Sequence, residues 1–237
     1  MKKFYSISQY PGKTGKYFYT KFFEYYNFDA IYSPLGTNNF FTTYKNLIEN
    51  GAHGISVSMP FKKEVIKYLN SFDDDVSKYN TCNTITINNV NCHGYNADLG
   101  GVIRVCELFD TLENISILGN GCMANMFAKY LLGYDISLYS NSLNNWNKRH
   151  SENKIIINCT ALGTSDVSSP LDFIPKNTRL VIDLAIKDNN LKKLCIEKKI
   201  KYVSGIEFYK FQFLKQFKIY TDIIPDTEFF DFCYNIM

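Results

Sequence analysis

At 237 residues the chain has room for one large domain or two compact ones. Hydrophobic residues make up 46%, charged residues 21% and aromatics 16%, so a globular fold with a sizeable ring-rich core is affordable. A net charge of +3, with lysines scattered among acids, argues against the concentrated basic face of a nucleic-acid binder, and no apolar run approaches the ~20 residues of a membrane helix.

Residues 4–8 read as a first strand rather than a targeting segment. Residues 17–26 (YFYTKFFEYY) form a predicted helix with its rings on a buried face, and 29–32 a second strand. A helix over 42–50 is ended by Gly51, and a third strand over 54–59 is halted by Pro60, which removes a ladder donor. Strands 84–87 and 90–93, joined at Asn88-Asn89, make a predicted hairpin, since asparagine tolerates the positive φ of its turn. From 115 the texture changes to strands alternating with helices: strand 115–118, helix 123–132, and strands 136–139, 154–158 and 180–184. A last helical spacing covers 206–217. Such alternation implies a parallel sheet with crossover connections. The fold class expected is therefore α/β in two lobes, with a boundary near 98–114.

Seven cysteines (Cys82, Cys92, Cys106, Cys122, Cys159, Cys195 and Cys233) are odd in number and lack CxxC spacing, so free thiols in a cytoplasmic protein are expected. His53, His93 and His150 show no ligand spacing, and no metal is expected. Gly119-Asn120-Gly121-Cys122-Met123-Ala124 matches G-x-G-x-x-A between a strand and a helix. The first glycine permits a tight turn, the second lets a pyrophosphate approach the backbone, and the small alanine lets the helix pack on the strand. A turn without a ligand would read the same way. The next strand ends in Tyr139-Ser140-Asn141-Ser142 with no acid for a ribose 2′-hydroxyl. Lys148 and Arg149 follow and could face a 2′-phosphate, so NADP is favoured over NAD.

Further segments fall in order along the chain: Ser56-Val57-Ser58-Met59-Pro60-Phe61-Lys62, Asn83-Thr84, Gly94-Tyr95-Asn96-Ala97-Asp98, Asn158-Cys159-Thr160 through Gly163, Asp183, and Gly205 with Gln212 seven residues on. With the glycine loop between them, they resemble the shikimate dehydrogenase family. The resemblance spans nearly the whole chain. It implies a substrate-binding and catalytic domain over 1–98, completed by C-terminal helices 206–237, and a Rossmann-like dinucleotide-binding domain over 99–205. It also implies an oxidoreductase of aromatic amino acid biosynthesis, moving hydride between NADP, with NAD as the other option, and a 3-dehydroshikimate-like ring ketone. By the same resemblance Lys62 and Asp98 are the acid/base pair. Thr14, Ser58, Asn83 and Gln212 would hold the substrate. Gly119, Gly121, Cys122, Met123, Ala124, Ser140, Asn141, Asn158, Thr160 and Gly205 would line the cofactor.

The chemistry supports the pair independently, because an alkoxide left by hydride addition must gain a proton, which a cleft lysine beside a carboxylate can supply. The departures concentrate on substrate grip. Only Thr14 offers a hydroxyl where the family has S-x-S, and Ser6-Ile7-Ser8 lies too early. Ser56 stands for Asn, Ala97 for Thr, and Ile186 for Tyr. The arginine of the family's N-R-T motif is missing, and the nucleotide lobe looks trimmed before strand 154–158. These changes point to a relative of shikimate as substrate. The rival reading is a catalytically inactive nucleotide-binding homologue with a regulatory role. A monomer or homodimer acting on small molecules is expected.

Overall fold

The computed structural model describes residues 1–109 and 113–237. Part of the expected lobe boundary, 110–112, lies outside them. The chain forms two compact units, Met1–Asp98 with Gln212–Met237, and Leu99–Phe211.

The first unit is built on strands β1 (Lys2–Ser8), β2 (Ala30–Gly36), β3 (Gly54–Val57), β4 (Ser71–Phe72), β5 (Thr84–Asn88) and β6 (Asn91–Tyr95), ordered β2-β1-β3-β5-β6-β4. β1 pairs in parallel with β2 and β3, while β5 runs antiparallel to both β3 and β6. Pro34 is tolerated because β2 is an edge strand, where a missing N–H costs no ladder bond. Helix α1 (Thr14–Tyr25) buries Phe18, Tyr19, Phe22 and Phe23, spaced one turn apart, against its neighbours. Helix α2 (Phe40–Glu49) is capped by Asn39, whose side chain accepts from the Thr42 N–H at 3.1 Å. It ends before Gly51, whose φ of +74° is left-handed.

The hairpin turn falls one residue later than its sequence suggests. Asn88 pairs with Asn91, and Asn89, at φ +59°, takes the left-handed position with Val90 beside it. Several elements went unread in the sequence, among them β4, the short helix α3 (Asp74–Tyr79) that follows it, and the helix over 190–197 and strand over 201–204 of the second unit.

The second unit holds helix α4 (Asp98–Cys106, entered from the first unit), strands β7 (Ile115–Leu118), β8 (Ile136–Tyr139), β9 (Ile155–Asn158), β10 (Leu180–Asp183) and β11 (Lys201–Ser204), and helices α5 (Cys122–Tyr130) and α6 (Asn190–Glu197). All five strands are parallel, in the order β11-β10-β9-β7-β8. Counted within the unit, this is the doubly wound order 2-1-3-4-5, whose direction of winding reverses between β7 and β9. Only two short 3-10 turns, at 141–143 and 146–148, separate β8 from β9, which accounts for the trimmed lobe. β7, β9 and β10 are buried throughout, as expected of parallel strands covered on both faces. Helix α7 (Gly205–Thr221) leads back to the first unit, and α8 (Thr227–Asn235) closes the chain. Among the described residues no helix is long and apolar enough to cross a membrane.

Candidate active site

β3 ends at Val57, and the chain turns through Ser58, Met59 and Pro60 before Phe61 buries its ring. That turn delivers Lys62 to the first residue of α4. Lys62 Nζ lies 2.6 Å from Asp98 Oδ2, with side-chain exposures of 12% and 4%. The Cys82 N–H donates to the Lys62 carbonyl at 2.9 Å, tying the loop to the strand entering β5. A charge-assisted bond this short, almost out of water, holds an ammonium and a carboxylate in one fixed geometry.

Asn83 is 3% exposed and sits just before β5. Its Oδ1 accepts from the Ala97 N–H at 2.8 Å and from the Thr84 hydroxyl at 2.8 Å. The oxygen is thereby committed, and Nδ2 has no protein acceptor among the described residues. Asn83 can therefore only donate to a ligand. Ala97, adjacent to Asp98, couples this amide to the ion pair through one peptide unit.

The other candidates for substrate contact are not bonded into this group. Thr14 opens α1, half-buried, at a helix start that no side chain caps. Ser58 is exposed, with its N–H bonded to the Ile7 carbonyl. Gln212 lies half-buried on α7, and its side chain hydrogen-bonds to none of the described residues. None of the three is hydrogen-bonded to Lys62 or Asp98. Sequence reasoning missed Gln216, one turn beyond Gln212. It is 4% exposed and bonds Tyr19, Ser56, Thr84 and the Asn83 carbonyl. Its signal was available, because Phe213, Gln216, Phe217 and Tyr220 share the i, i+3, i+4, i+7 spacing of one buried stripe. Ser56 is likewise no ligand group: its hydroxyl meets Tyr32 at 2.9 Å, Tyr220 at 3.0 Å and Gln216 at 3.1 Å.

In the second unit Gly119 adopts φ +111°, and a Cβ there would come within 3.1 Å of the Cys159 carbonyl oxygen. Only glycine meets both demands. Gly121 is the N-cap of α5, no side chain caps the helix, and a Cβ on it would meet nothing within 4 Å. Space is therefore open over the backbone at the positive end of a helix, while Ala124, fully buried, packs α5 down. Cys122 and Met123 form the half-buried first turn. At the end of β8, Ser140 accepts from the Leu143 N–H and contacts Ser142. Asn120 reaches Ser142 at 3.1 Å, joining the glycine turn to the loop that carries Asn141, itself exposed. These residues fit a dinucleotide phosphate held by backbone N–H groups.

Asn158 is fully buried. It donates to Asp183 at 2.9 Å and accepts from both Thr160 groups, so it shapes the turn after β9 with no atom left for a ligand. Gly205 is dictated by its own chain, since a Cβ there would sit 2.3 Å from the Leu184 carbonyl oxygen. Arg149 cannot serve a 2′-phosphate. Its guanidinium bonds Asp172, the Pro170 carbonyl and the Trp146 carbonyl, and stacks over the Trp146 ring. Lys148 beside it is exposed.

Fold and site define an α/β protein whose mixed-sheet unit carries an isolated ammonium–carboxylate pair and whose parallel-sheet unit is Rossmann-like. A family model, the shikimate dehydrogenase substrate binding domain, matches residues 16–85. Among curated relatives, a shikimate dehydrogenase (NADP(+)) of Dehalococcoides mccartyi is 27% identical over 71% of each chain, and one of Pyrococcus abyssi is 25% identical over 87% of this chain and 86% of its own. The structure of a Thermus thermophilus shikimate dehydrogenase, in complex with NADP(H) and shikimate, superposes with a TM-score of 0.84 at 16% identity, covering 100% of this chain and 99% of that one. Residues 16–85 thus match the substrate binding domain of shikimate dehydrogenases, and the chain is similar over most of its length to curated members of that family.

Proposed function

We propose that this protein is an NADP-dependent dehydrogenase of the shikimate dehydrogenase type, catalysing reversible hydride transfer between NADP and a 3-dehydroshikimate-like ring ketone. The observation that carries this reading is the Lys62–Asp98 pair, 2.6 Å apart and nearly dry. When bound, the dinucleotide supplies or accepts the hydride. Everything else falls to the chain. Lys62 Nζ protonates the oxygen that becomes an alkoxide on reduction, and takes that proton back on oxidation. Asp98 holds the ammonium in place and balances its charge. Asn83 Nδ2 donates to a ring hydroxyl, and Gln212 and Ser58 offer further polar contacts. Residues 1–98 and the C-terminal helices form the substrate domain, and 99–205 the dinucleotide domain.

Several departures from the family pattern bear on the substrate. Thr14 is the one hydroxyl remaining for a ring carboxylate, so the preferred substrate is a relative of shikimate altered at that group. NADP is favoured over NAD because the relatives named above are NADP enzymes and no acid closes β8 against a 2′-phosphate. A cytoplasmic setting suits the free thiols.

A panel of shikimate-like acids and alcohols, each with NADP and NAD, tests the reading by nicotinamide absorbance. Turnover with a ring alcohol supports it. A chain that binds nucleotide yet turns over no member of the panel would be the inactive homologue instead.

A further inference from the structure

We propose that Gln216 is a positioning residue that, through Thr84, reinforces which end of the Asn83 amide faces the substrate. The inference rests on the substrate role given to Asn83 above. An amide group has two chemically opposite ends of nearly equal shape, so something must decide which one points outward.

Two backbone groups of fixed polarity make that decision here. At one end the Ala97 N–H can only donate, so the Asn83 atom facing it at 2.8 Å must be Oδ1. At the other end the Asn83 carbonyl can only accept, so the Gln216 atom facing it at 3.2 Å must be Nε2. The same Nε2 donates to the Thr84 hydroxyl at 2.7 Å. Thr84 has one proton, and with its oxygen already accepting from Gln216, that proton is directed to Asn83 Oδ1 at 2.8 Å. Gln216 thus sets Thr84, and Thr84 adds a second donor to Asn83 Oδ1. Nδ2 is left as the donor toward a ligand.

Gln216 itself is held against flipping. Its Oε1 accepts from the Tyr19 hydroxyl at 2.9 Å and from the Ser56 hydroxyl at 3.1 Å. Ser56 has given its proton to Gln216, so it accepts from Tyr32 at 2.9 Å and from Tyr220 at 3.0 Å. Every donor and acceptor of Gln216 is filled. The two tyrosines behind Ser56 are buried, and burial pushes both phenols above their ordinary value, so they remain donors at neutral pH. A buried chain satisfied at every link transmits its polarity from one end to the other.

The test uses the full chain and two variants that break the relay at different links, Thr84→Val and Gln216→Leu. Without any ligand, the side-chain amide resonances of Asn83, assigned by their loss in Asn83→Ala, are expected to move in both variants. Shikimate affinity, measured by calorimetry without nucleotide, is expected to fall about fivefold, the loss of one neutral hydrogen bond. In an Asn83→Ala background neither substitution weakens binding further. Thr84→Val replaces a hydroxyl by a methyl at constant shape, so it decides the matter if Gln216→Leu does not fold. Unmoved Asn83 resonances in a folded Thr84→Val variant would overturn the proposal. So would an equal loss of affinity with and without the Asn83 side chain. If the unmodified chain binds no member of the shikimate-like panel, the proposed function fails while the resonances still decide the role of Gln216.

Discussion

Lys62 and Asp98 form the one ion pair among the described residues with both side chains nearly withdrawn from water, and the consequences differ for the two partners. Removing Lys62 leaves a carboxylate that is 4% exposed without its counter-charge, a change that costs about 3–5 kcal/mol in comparable buried pairs. Lys62→Ala should therefore lower the midpoint of thermal unfolding while cutting turnover by about 10²–10⁴-fold. Asp98→Asn keeps the shape and one acceptor, and should cost less stability. Unfolding curves and initial rates on both variants check this. A fully active Lys62→Ala would remove the lysine from the chemistry.

Asp183 is the second buried carboxylate of consequence. It is fully buried at the end of β10 and collects the side chains of Asn158, Asn189 and Tyr202 together with the Ala185 N–H. Four donors converge on it from β9, β11 and the loop after β10. Asp183→Ala would strand them, and a destabilisation of about 3 kcal/mol or more is expected by urea unfolding. Its motif was readable in the sequence. Its distant partners were not, because Tyr202 and Asn158 come near Asp183 only through the parallel pairing of β10 with β11 and β9.

At the scale of elements, the glycine turn was the most legible feature, since a backbone constraint is local: β7, Gly119 and α5 are consecutive. Gly119→Ala meets both a positive φ and the Cys159 carbonyl, so it should destabilise the second unit and weaken nucleotide binding, as read by thermal shift with and without NADP. Retained affinity at unchanged stability would contradict that. Elements whose existence depends on distant partners were hard to read. β4 has two residues and exists only through its pairing with β6, and α3 is six residues long. Gln216 illustrates the same limit in part: its place on a buried helical stripe was legible, but its importance comes from residues 132 to 197 positions away. Arg149 shows the converse: proximity in sequence to the end of β8, a candidate phosphate site, suggested a ligand role that its bonds to Asp172 and Pro170 preclude.

For the whole chain, the high aromatic content has a specific use. In the first unit Phe18 stacks on Phe230 at 4.3 Å, and Phe22 meets Phe213 at 4.9 Å and Phe217 at 5.2 Å, binding α1, α7 and α8 together. Fold class and the order of the motifs could be read from the sequence; this ring cluster could only be guessed from composition. Buried thiols set the response to alkali. Burial pushes Cys82, Cys106 and Cys195 up to about 12 from an ordinary 9.0, and raises Tyr32 and Tyr220 as well. Above pH 9 these thiols ionise in the unfolded chain but not in the native one. The native state then binds more protons, and stability falls as pH rises, by up to about 1.4 kcal/mol per pH unit for each thiol. Urea midpoints should be flat from pH 7 to about 8.5 and decline between pH 9 and 12. A flat profile through that window would contradict the burial of these groups.

The most direct test of the central assignment is initial-rate measurement of NADP reduction by the ring alcohol the chain prefers, run beside Lys62→Ala with nucleotide affinity measured on both proteins. The expected result is turnover in the unmodified chain, a fall of at least about a hundredfold in the variant, and unchanged NADP affinity. Equal rates in the two proteins, or an unmodified chain that retains neither dinucleotide, would contradict it.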